Sequence, residues 1–85
     1  MSAPLSLRVM VLDSWDEVLI EADPNARVAE VKEQALAQAQ VTRPPDSFLV
    51  KHHGWEVSET ATLADAGIGP NAALIILPRR RQPVR

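Results

Sequence analysis

Hydrophobic and polar residues alternate in two segments near the start of the sequence, residues 5–12 and residues 17–22. The aliphatic side chains that recur at every second position are Leu7, Val9 and Val11 in the first segment and Val18, Ile20 and Ala22 in the second. A period of two is the signature of a strand with one buried face. Residues 13–16, Asp-Ser-Trp-Asp, have the composition of a turn. The pattern therefore predicts an N-terminal β-hairpin.

A helical period replaces the alternation after the hairpin. Asp23, Pro24 and Asn25 interrupt the second strand and offer side-chain oxygens for a cap, so we expect a helix to start near them. Pro44 and Pro45 mark a point by which that helix has ended. The residues that fall on one helical stripe, and so are expected in the core, are Val28, Val31, Ala35, Leu36 and Ala39.

Three further strands and a capped turn are predicted in the second half. The strands cover residues 47–53, 56–57 and 73–77, and Thr62 with Asp65 has the spacing of a capping box for a brief helical turn. The order is hairpin, helix, strand, short strand, turn, strand. This order predicts an α+β fold in which a mixed four- to five-stranded sheet packs on one helix.

Length and composition limit the possible classes. A chain of 85 residues with 46% hydrophobic residues suits one domain. The absence of cysteine excludes disulfides, thiolate zinc sites and a cysteine nucleophile. The start lacks the basic and apolar regions of a secretion signal, and the longest apolar run, residues 72–77, is far too short to span a bilayer. We therefore expect a soluble, cytoplasmic protein.

Charge divides the chain unequally. Residues 79–85 contain four of the nine basic groups and none of the eleven acidic ones, which leaves residues 1–78 with a net charge of −6. We therefore predict a domain over residues 1–78 and a basic, flexible C-terminal tail over residues 79–85. The acidic body argues against a nucleic-acid-binding domain. Contact with nucleic acid or a membrane is expected only through the tail, whose secondary electrostatic residues are Arg79, Arg80 and Arg81.

Several short motifs occur at the spacings found in ubiquitin. Val28-x-x-Val31-Lys32 resembles the start of its helix, and Pro44-Pro45-Asp46 resembles the segment that follows the helix. Further along, the matching positions are Gly54, Thr62, Leu63, Asp65, Ile68 and Leu74. The resemblance extends from Leu7 to about Arg79 and implies a ubiquitin-like β-grasp fold.

The differences from ubiquitin concern conjugation. Ubiquitin's terminal diglycine falls at Gln82 and Pro83, and proline cannot replace the glycine carboxylate that activating enzymes adenylate. The two lysines best known for building ubiquitin chains correspond to Trp55 and Pro70. The resemblance thus implies a non-conjugated protein, similar in size to bacterial ubiquitin-like proteins associated with type VII secretion and to a small subunit of some multicomponent monooxygenases. A C-terminally activated modifier or sulfur carrier is the disfavoured alternative.

A binding surface is predicted on the sheet. Ubiquitin's central patch isoleucine corresponds to Lys51, and strand alternation points several aliphatic residues to the same side. A sheet face open to water is ordinarily polar, so neighbouring aliphatic residues there indicate a partner site. The predicted partner-binding residues are Met10, Leu12, Leu49, Lys51, Ile75 and Leu77. A register error of one residue, or a face covered by the arginine tail, would remove this site. We expect a non-catalytic protein-interaction module or accessory subunit.

No residue pattern predicts catalysis or a cofactor. His52 and His53 are consecutive on a predicted strand, so their side chains are expected on opposite faces and cannot readily share a metal. No nucleophile-elbow or phosphate-loop motif is present, so no catalytic residue, cofactor or small-molecule substrate is expected. Trp15 and Trp55 fall in predicted turns, where each ring either packs over the sheet edge or is offered to a partner.

Overall fold

One helix packs across one face of a mixed sheet. The computed structural model describes residues 4–79. In that part of the chain the elements are β1 (Leu5–Val11), β2 (Asp16–Ala22), α1 (Val28–Gln38), a single 3-10 turn (Pro45–Ser47), β3 (Phe48–His52), β4 (Trp55–Glu56) and β5 (Ala73–Pro78). The five strands are ordered β2-β1-β5-β3-β4, with β1 and β5 parallel and the other neighbours antiparallel. This architecture confirms the predicted α+β fold.

The core lies between α1 and the inward-facing side chains of the sheet. In the hairpin, Leu7 lies opposite Ile20 and Val9 opposite Val18, so the predicted inward positions meet directly. The fully or nearly fully buried hydrophobic residues are Leu7, Val9, Val11, Ile20, Ala22, Val28, Val31, Ala35, Leu36, Phe48, Val50, Leu63, Ile68, Leu74 and Ile76. Four of the five helix positions predicted for the core are buried, and Ala39 is half-buried at the helix end.

The helix begins at Val28, where the motif shared with ubiquitin places its start and three residues after Asn25. Asp23 closes the preceding turn instead of capping the helix: its Oδ1 accepts a hydrogen bond from the Asn25 N–H at 2.8 Å, and its carbonyl accepts one from the Ala26 N–H at 2.8 Å. The predicted capping role of Asp23 was wrong because an Asx turn uses the same side-chain oxygens as a helix cap. Arg27 is the N-cap residue.

Backbone carbonyls from a distant part of the chain accept hydrogen bonds from the first N–H groups of α1. The Val28 N–H donates to the Ala61 carbonyl at 2.9 Å, and the Ala29 N–H donates to the Glu59 carbonyl at 3.0 Å. The carboxylate of Glu30 accepts from the Arg27 N–H at 3.2 Å. Helix N-termini need such partners for their unpaired N–H groups. The segment before Thr62 therefore caps the start of α1.

Within residues 4–79 no helix has the length and apolar character needed to cross a membrane.

Two short elements differ slightly from their predictions. The Asp65 N–H donates to Thr62 Oγ1 at 3.1 Å, which is the expected capping contact, but the residues that follow form a hydrogen-bonded turn and not a helix. The fourth strand covers Trp55–Glu56, one residue earlier than predicted. A two-residue turn, His53 and Gly54, connects it to β3, so the strand pairing begins at once.

Candidate protein-binding face

The predicted binding residues lie on the side of the sheet turned away from α1, here called the outer face: Met10, Leu12, Leu49, Lys51, Ile75 and Leu77. Their neighbours in sequence, among them Val9, Val50 and Ile76, are buried in the core. Because successive side chains of a strand point to opposite faces, the outer-face residues point away from that core. Strand register then decides whether they lie side by side.

The first row of the outer face crosses all five strands. Ile75 of β5 lies between Met10 of β1 and Lys51 of β3. Met10 is also opposite Glu17 of β2, and Lys51 is opposite Glu56 of β4. Residues directly opposite each other on neighbouring strands are close enough for their side chains to interact. The row therefore has two aliphatic residues and a lysine at its centre and a carboxylate at each edge.

The second row of the outer face is entirely aliphatic. Leu77 of β5 lies opposite Leu49 of β3. The Leu12 N–H donates to the Ile76 carbonyl at 3.0 Å, which continues the β1–β5 pairing past the end of β1 and brings Leu12 beside Leu77. The structure thus brings all six predicted residues together in two adjacent rows. Ile75 is 41% exposed and the other five are half-buried.

Leu19 of β2 is an exposed aliphatic residue that the prediction of the site omitted. Its side chain is 70% exposed, and it lies opposite Arg8 of β1 on the same side of the sheet as the outer face. The signal was present in the sequence, since Val18 and Ile20 were assigned to the core and the residue between them points outward. Leu19 extends the apolar surface toward the sheet edge formed by β2.

Arg79 is bound to the domain at the point where the predicted tail begins. Its N–H donates to the Ser47 carbonyl at 2.8 Å and its Nε donates to the Asp46 carbonyl at 2.9 Å. Its guanidinium also lies 3.0 Å from Glu59 and 3.8 Å from Glu56. The structure therefore places Arg79 in a network of contacts with the folded domain. Arg80 and Arg81 lie outside the described residues.

Glu59, which contacts Arg79, also forms an ion pair with a buried lysine of α1. Lys32 is 1% exposed, and its Nζ lies 2.6 Å from Glu59 Oε1 and 3.1 Å from the Phe48 carbonyl oxygen. A buried ammonium group needs such partners, because an unpaired buried charge is strongly unfavourable. Lys32 falls on the same helical stripe as Val28 and Leu36, four positions from each, so the sequence pattern already indicated its burial.

Both tryptophans present their rings to solvent. Trp15 in the β1–β2 turn is 78% exposed and Trp55 at the start of β4 is 77% exposed. Trp15 also has a φ of 58°, a left-handed conformation that is unfavourable for a bulky side chain. In the same turn Ser14 Oγ is buried and has no hydrogen-bond partner among residues 4–79. Exposure of more than three quarters of each side chain shows that neither ring packs closely over the sheet edge.

The histidine pair is arranged differently from the prediction. The ring centroids of His52 and His53 are 4.1 Å apart, so the expectation that the side chains point to opposite faces is wrong. His53 is not in the strand but in the turn, where its φ of 55° interrupts the alternation. Burial, followed by the charge of His53, lowers the pKa of His52 below its ordinary value. A like charge nearby and partial loss of water both disfavour protonation.

Comparison with solved structures identifies the fold. A designed protein based on ubiquitin matches with a TM-score of 0.81 and 20% sequence identity, over 98% of this chain and 98% of that chain. The ubiquitin of Caldiarchaeum subterraneum matches with a TM-score of 0.77 and 20% identity, over 94% of this chain and 99% of that chain. No protein-family model and no curated protein matches the sequence. The chain has a ubiquitin-like β-grasp fold.

Proposed function

We propose that this chain is a non-catalytic ubiquitin-like protein that binds a partner protein through its outer face and is not conjugated to targets. The observation that supports this proposal is the pair of adjacent rows in which Met10, Leu12, Leu49, Ile75 and Leu77 meet on the side of the sheet opposite α1. A sheet face left in water is ordinarily polar, whereas clustered aliphatic side chains mark interaction sites.

The composition of the outer face specifies a complementary partner surface. Covering each half-exposed aliphatic side chain contributes about 1 kcal/mol, so the two rows can form the apolar centre of a small interface. Lys51 lies within the first row, while Glu17 and Glu56 lie at its two ends. The matching partner surface is aliphatic at its centre, with a carboxylate facing Lys51 and basic groups facing the edges.

Non-conjugation is supported by the chemistry at the positions that correspond to ubiquitin's reactive end. Gln82 and Pro83 occupy the diglycine positions, and Trp55 and Pro70 occupy the positions of the two main chain-building lysines. A prolyl residue lacks both the small size and the backbone freedom of glycine. These substitutions remove the features that activating enzymes and chain extension use in ubiquitin.

Binding of an anionic polymer or a membrane through the basic tail receives less support. The guanidinium of Arg79 already contacts Glu59, and its Nε donates to the Asp46 carbonyl. A cation engaged in this way contributes less to an external anion than a solvated one does. That hypothesis therefore depends on Arg80, Arg81 and Arg85.

The test is affinity capture from a lysate of the source organism with the wild type and two charge-matched variants. Ile75→Asp with Leu77→Asp places two carboxylates in the outer face. Gln34→Glu with Gln38→Glu adds the same two charges at exposed positions of α1, on the opposite side of the molecule. Circular dichroism checks the fold of all three proteins. A protein captured by the wild type is then purified and titrated into each variant.

We expect the captured protein to bind the wild type and the α1 variant with similar affinity and to lose binding to the outer-face variant. Amide chemical shifts that change on titration should cluster on β1, β3 and β5. Equal binding to both variants would refute the proposed face. Incubation with lysate and ATP, followed by intact-mass measurement, tests conjugation separately, since a covalent adduct at the C-terminus would contradict the non-conjugated assignment.

A further inference from the structure

The β3–β4 turn brings the two histidines to the same side of the chain. His52 pairs directly with Trp55, which leaves His53 and Gly54 as a two-residue turn. Both turn residues have positive φ, 55° and 83°. Two positive φ values in a two-residue hairpin are the conformation of a type I′ turn. Because His53 is in this conformation and not in an extended one, its side chain lies beside that of His52.

The distance between the rings is close to that of two imidazoles on one metal ion. With zinc–nitrogen bonds of about 2.1 Å and an angle between 90° and tetrahedral, the two ring centroids are about 4.6–5.3 Å apart. The observed separation is 4.1 Å with the ring planes inclined by 55°. His53 is exposed and His52 is half-buried. The rings must therefore move apart by about 0.5–1.2 Å to reach the ligating distance, and His53, as the exposed partner, is the side chain with room to move.

We propose that His52 and His53 form an open two-imidazole site for a divalent transition-metal ion of the zinc or nickel type. Imidazole nitrogen suits these ions, and magnesium and calcium prefer oxygen ligands. No group of three or more histidine, cysteine, aspartate or glutamate residues that could hold a metal occurs within residues 4–79. The protein therefore supplies two ligands, and water or a group from a bound molecule completes the coordination.

The surroundings of the pair leave room for those additional ligands. His52 and His53 line an open groove of about 610 Å³ whose other walls include Gly54, Gly67 and Asn71. Lys51 also lines the groove and its positive charge opposes metal binding, while Glu56, opposite Lys51 on β4, offsets part of that charge. These opposing charges are consistent with a weak, exchangeable site and not with a permanent structural metal.

The chain offers a low background for testing this site. It has two histidines in total and no cysteine, so His52 and His53 are its complete set of imidazole and thiolate ligands. The experiment titrates Zn²⁺ into the untagged full chain by isothermal calorimetry, with Mg²⁺ as the control ion. The variants are His52→Gln and His53→Asn. Asparagine tolerates positive φ and precedes glycine in the most favoured type I′ turns, so the second variant preserves the fold.

We expect one Zn²⁺ per chain and a loss of affinity of at least about tenfold in either single variant, because the second imidazole of a chelate acts at high effective concentration. Amide shifts caused by Zn²⁺ should be confined to the residues around the groove. The proposal is overturned if each single variant loses no more than about twofold, as expected for independent ligands. It is also overturned if the wild type shows no saturable binding up to about 1 mM. Formation of a dimer on addition of Zn²⁺, measured by sedimentation, would overturn it too, because the metal would then bridge two chains.

Discussion

Ile75 and Ile76 are neighbours in β5 with the same side chain and opposite environments. Ile76 is 0% exposed in the core beneath α1, whereas Ile75 is 41% exposed on the outer face. Burial of apolar area is what converts an aliphatic side chain into folding stability. The core explains the presence of Ile76. It does not explain Ile75, nor the aliphatic residues Met10 and Leu77 that lie on the same face.

The two faces have similar aliphatic side chains but contribute differently to folding stability, so aliphatic content alone does not show which face stabilises the fold. On the inner face, helix and sheet side chains pack against each other from both sides. On the outer face, the aliphatic residues lie beside their neighbours within the sheet and stay partly exposed, so each gains a fraction of the same burial. The clustering of partly exposed aliphatic residues on the outer face is the basis of the proposed partner site.

Truncation of Ile76 should change the free energy of unfolding more than any other substitution discussed below. Ile76→Ala should lower the free energy of unfolding by about 2–5 kcal/mol, since it removes buried methyl groups and leaves a cavity. Ile75→Ala makes the same chemical change on the outer face and should lower it by less than about 1 kcal/mol. Urea unfolding followed by circular dichroism measures both. Similar losses in the two variants would mean that the outer face is covered in the free protein.

Strand alternation made the two faces predictable because it depends only on the order of residues. A period of two divides each strand into two sets of side chains, but in β5 both sets are aliphatic, so the outward assignment of Ile75 also needed the correspondence with ubiquitin. The row that joins Met10, Ile75 and Lys51 needed the pairing as well. The resemblance to ubiquitin supplied that pairing, which periodicity alone does not contain.

The features that were not predicted depend on contacts between distant residues or on local backbone conformation. The first N–H groups of α1 are capped by the carbonyls of Glu59 and Ala61, more than 25 positions away along the chain, and not by the Asp23–Asn25 segment. Arg79 is held by residues of the 3-10 turn and by Glu59. His53 was assigned to a strand because its neighbours are strand-like, and only its positive φ shows that the strand has already ended.

A smaller effect is expected at the β1–β2 turn, where an outward residue is retained at a cost to folding. Trp15 has a φ of 58°, and glycine adopts that conformation without strain. Relief of the strain exceeds the extra chain entropy of glycine, so Trp15→Gly should raise the free energy of unfolding by about 0.5–1 kcal/mol. Chemical unfolding measures this change.

Trp55→Gly is the matched control, because Trp55 is 77% exposed but lies in β4 and is not among the residues with positive φ. Glycine in a strand lowers stability by about 0.5–1 kcal/mol. The two substitutions should therefore act in opposite directions. A loss of stability in both would mean that the Trp15 ring stabilises the turn through packing, and its role as a surface offered to a partner would lose support.

The smallest change in stability is expected at His52, the last residue of β3. His52 is opposite Leu74, so it has the parity of the core, but it is only half-buried. Burial first, and the charge of His53 second, lower its pKa below the ordinary value of 6.5. Since the unfolded chain binds this proton more readily, the stability contributed by neutral His52 is complete above pH 6.5 and is lost as the pH falls below it.

An NMR titration of the His52 ring resonances measures this pKa directly. In His53→Asn the charge is removed and the burial remains, so the pKa of His52 should rise only part of the way toward 6.5. Full recovery to 6.5 would mean that charge, not burial, controls His52. Its inward parity would then have no energetic consequence, and the inner face would end at Val50. A partial recovery means that even a half-buried position of the inner face still excludes enough water to disfavour a charge.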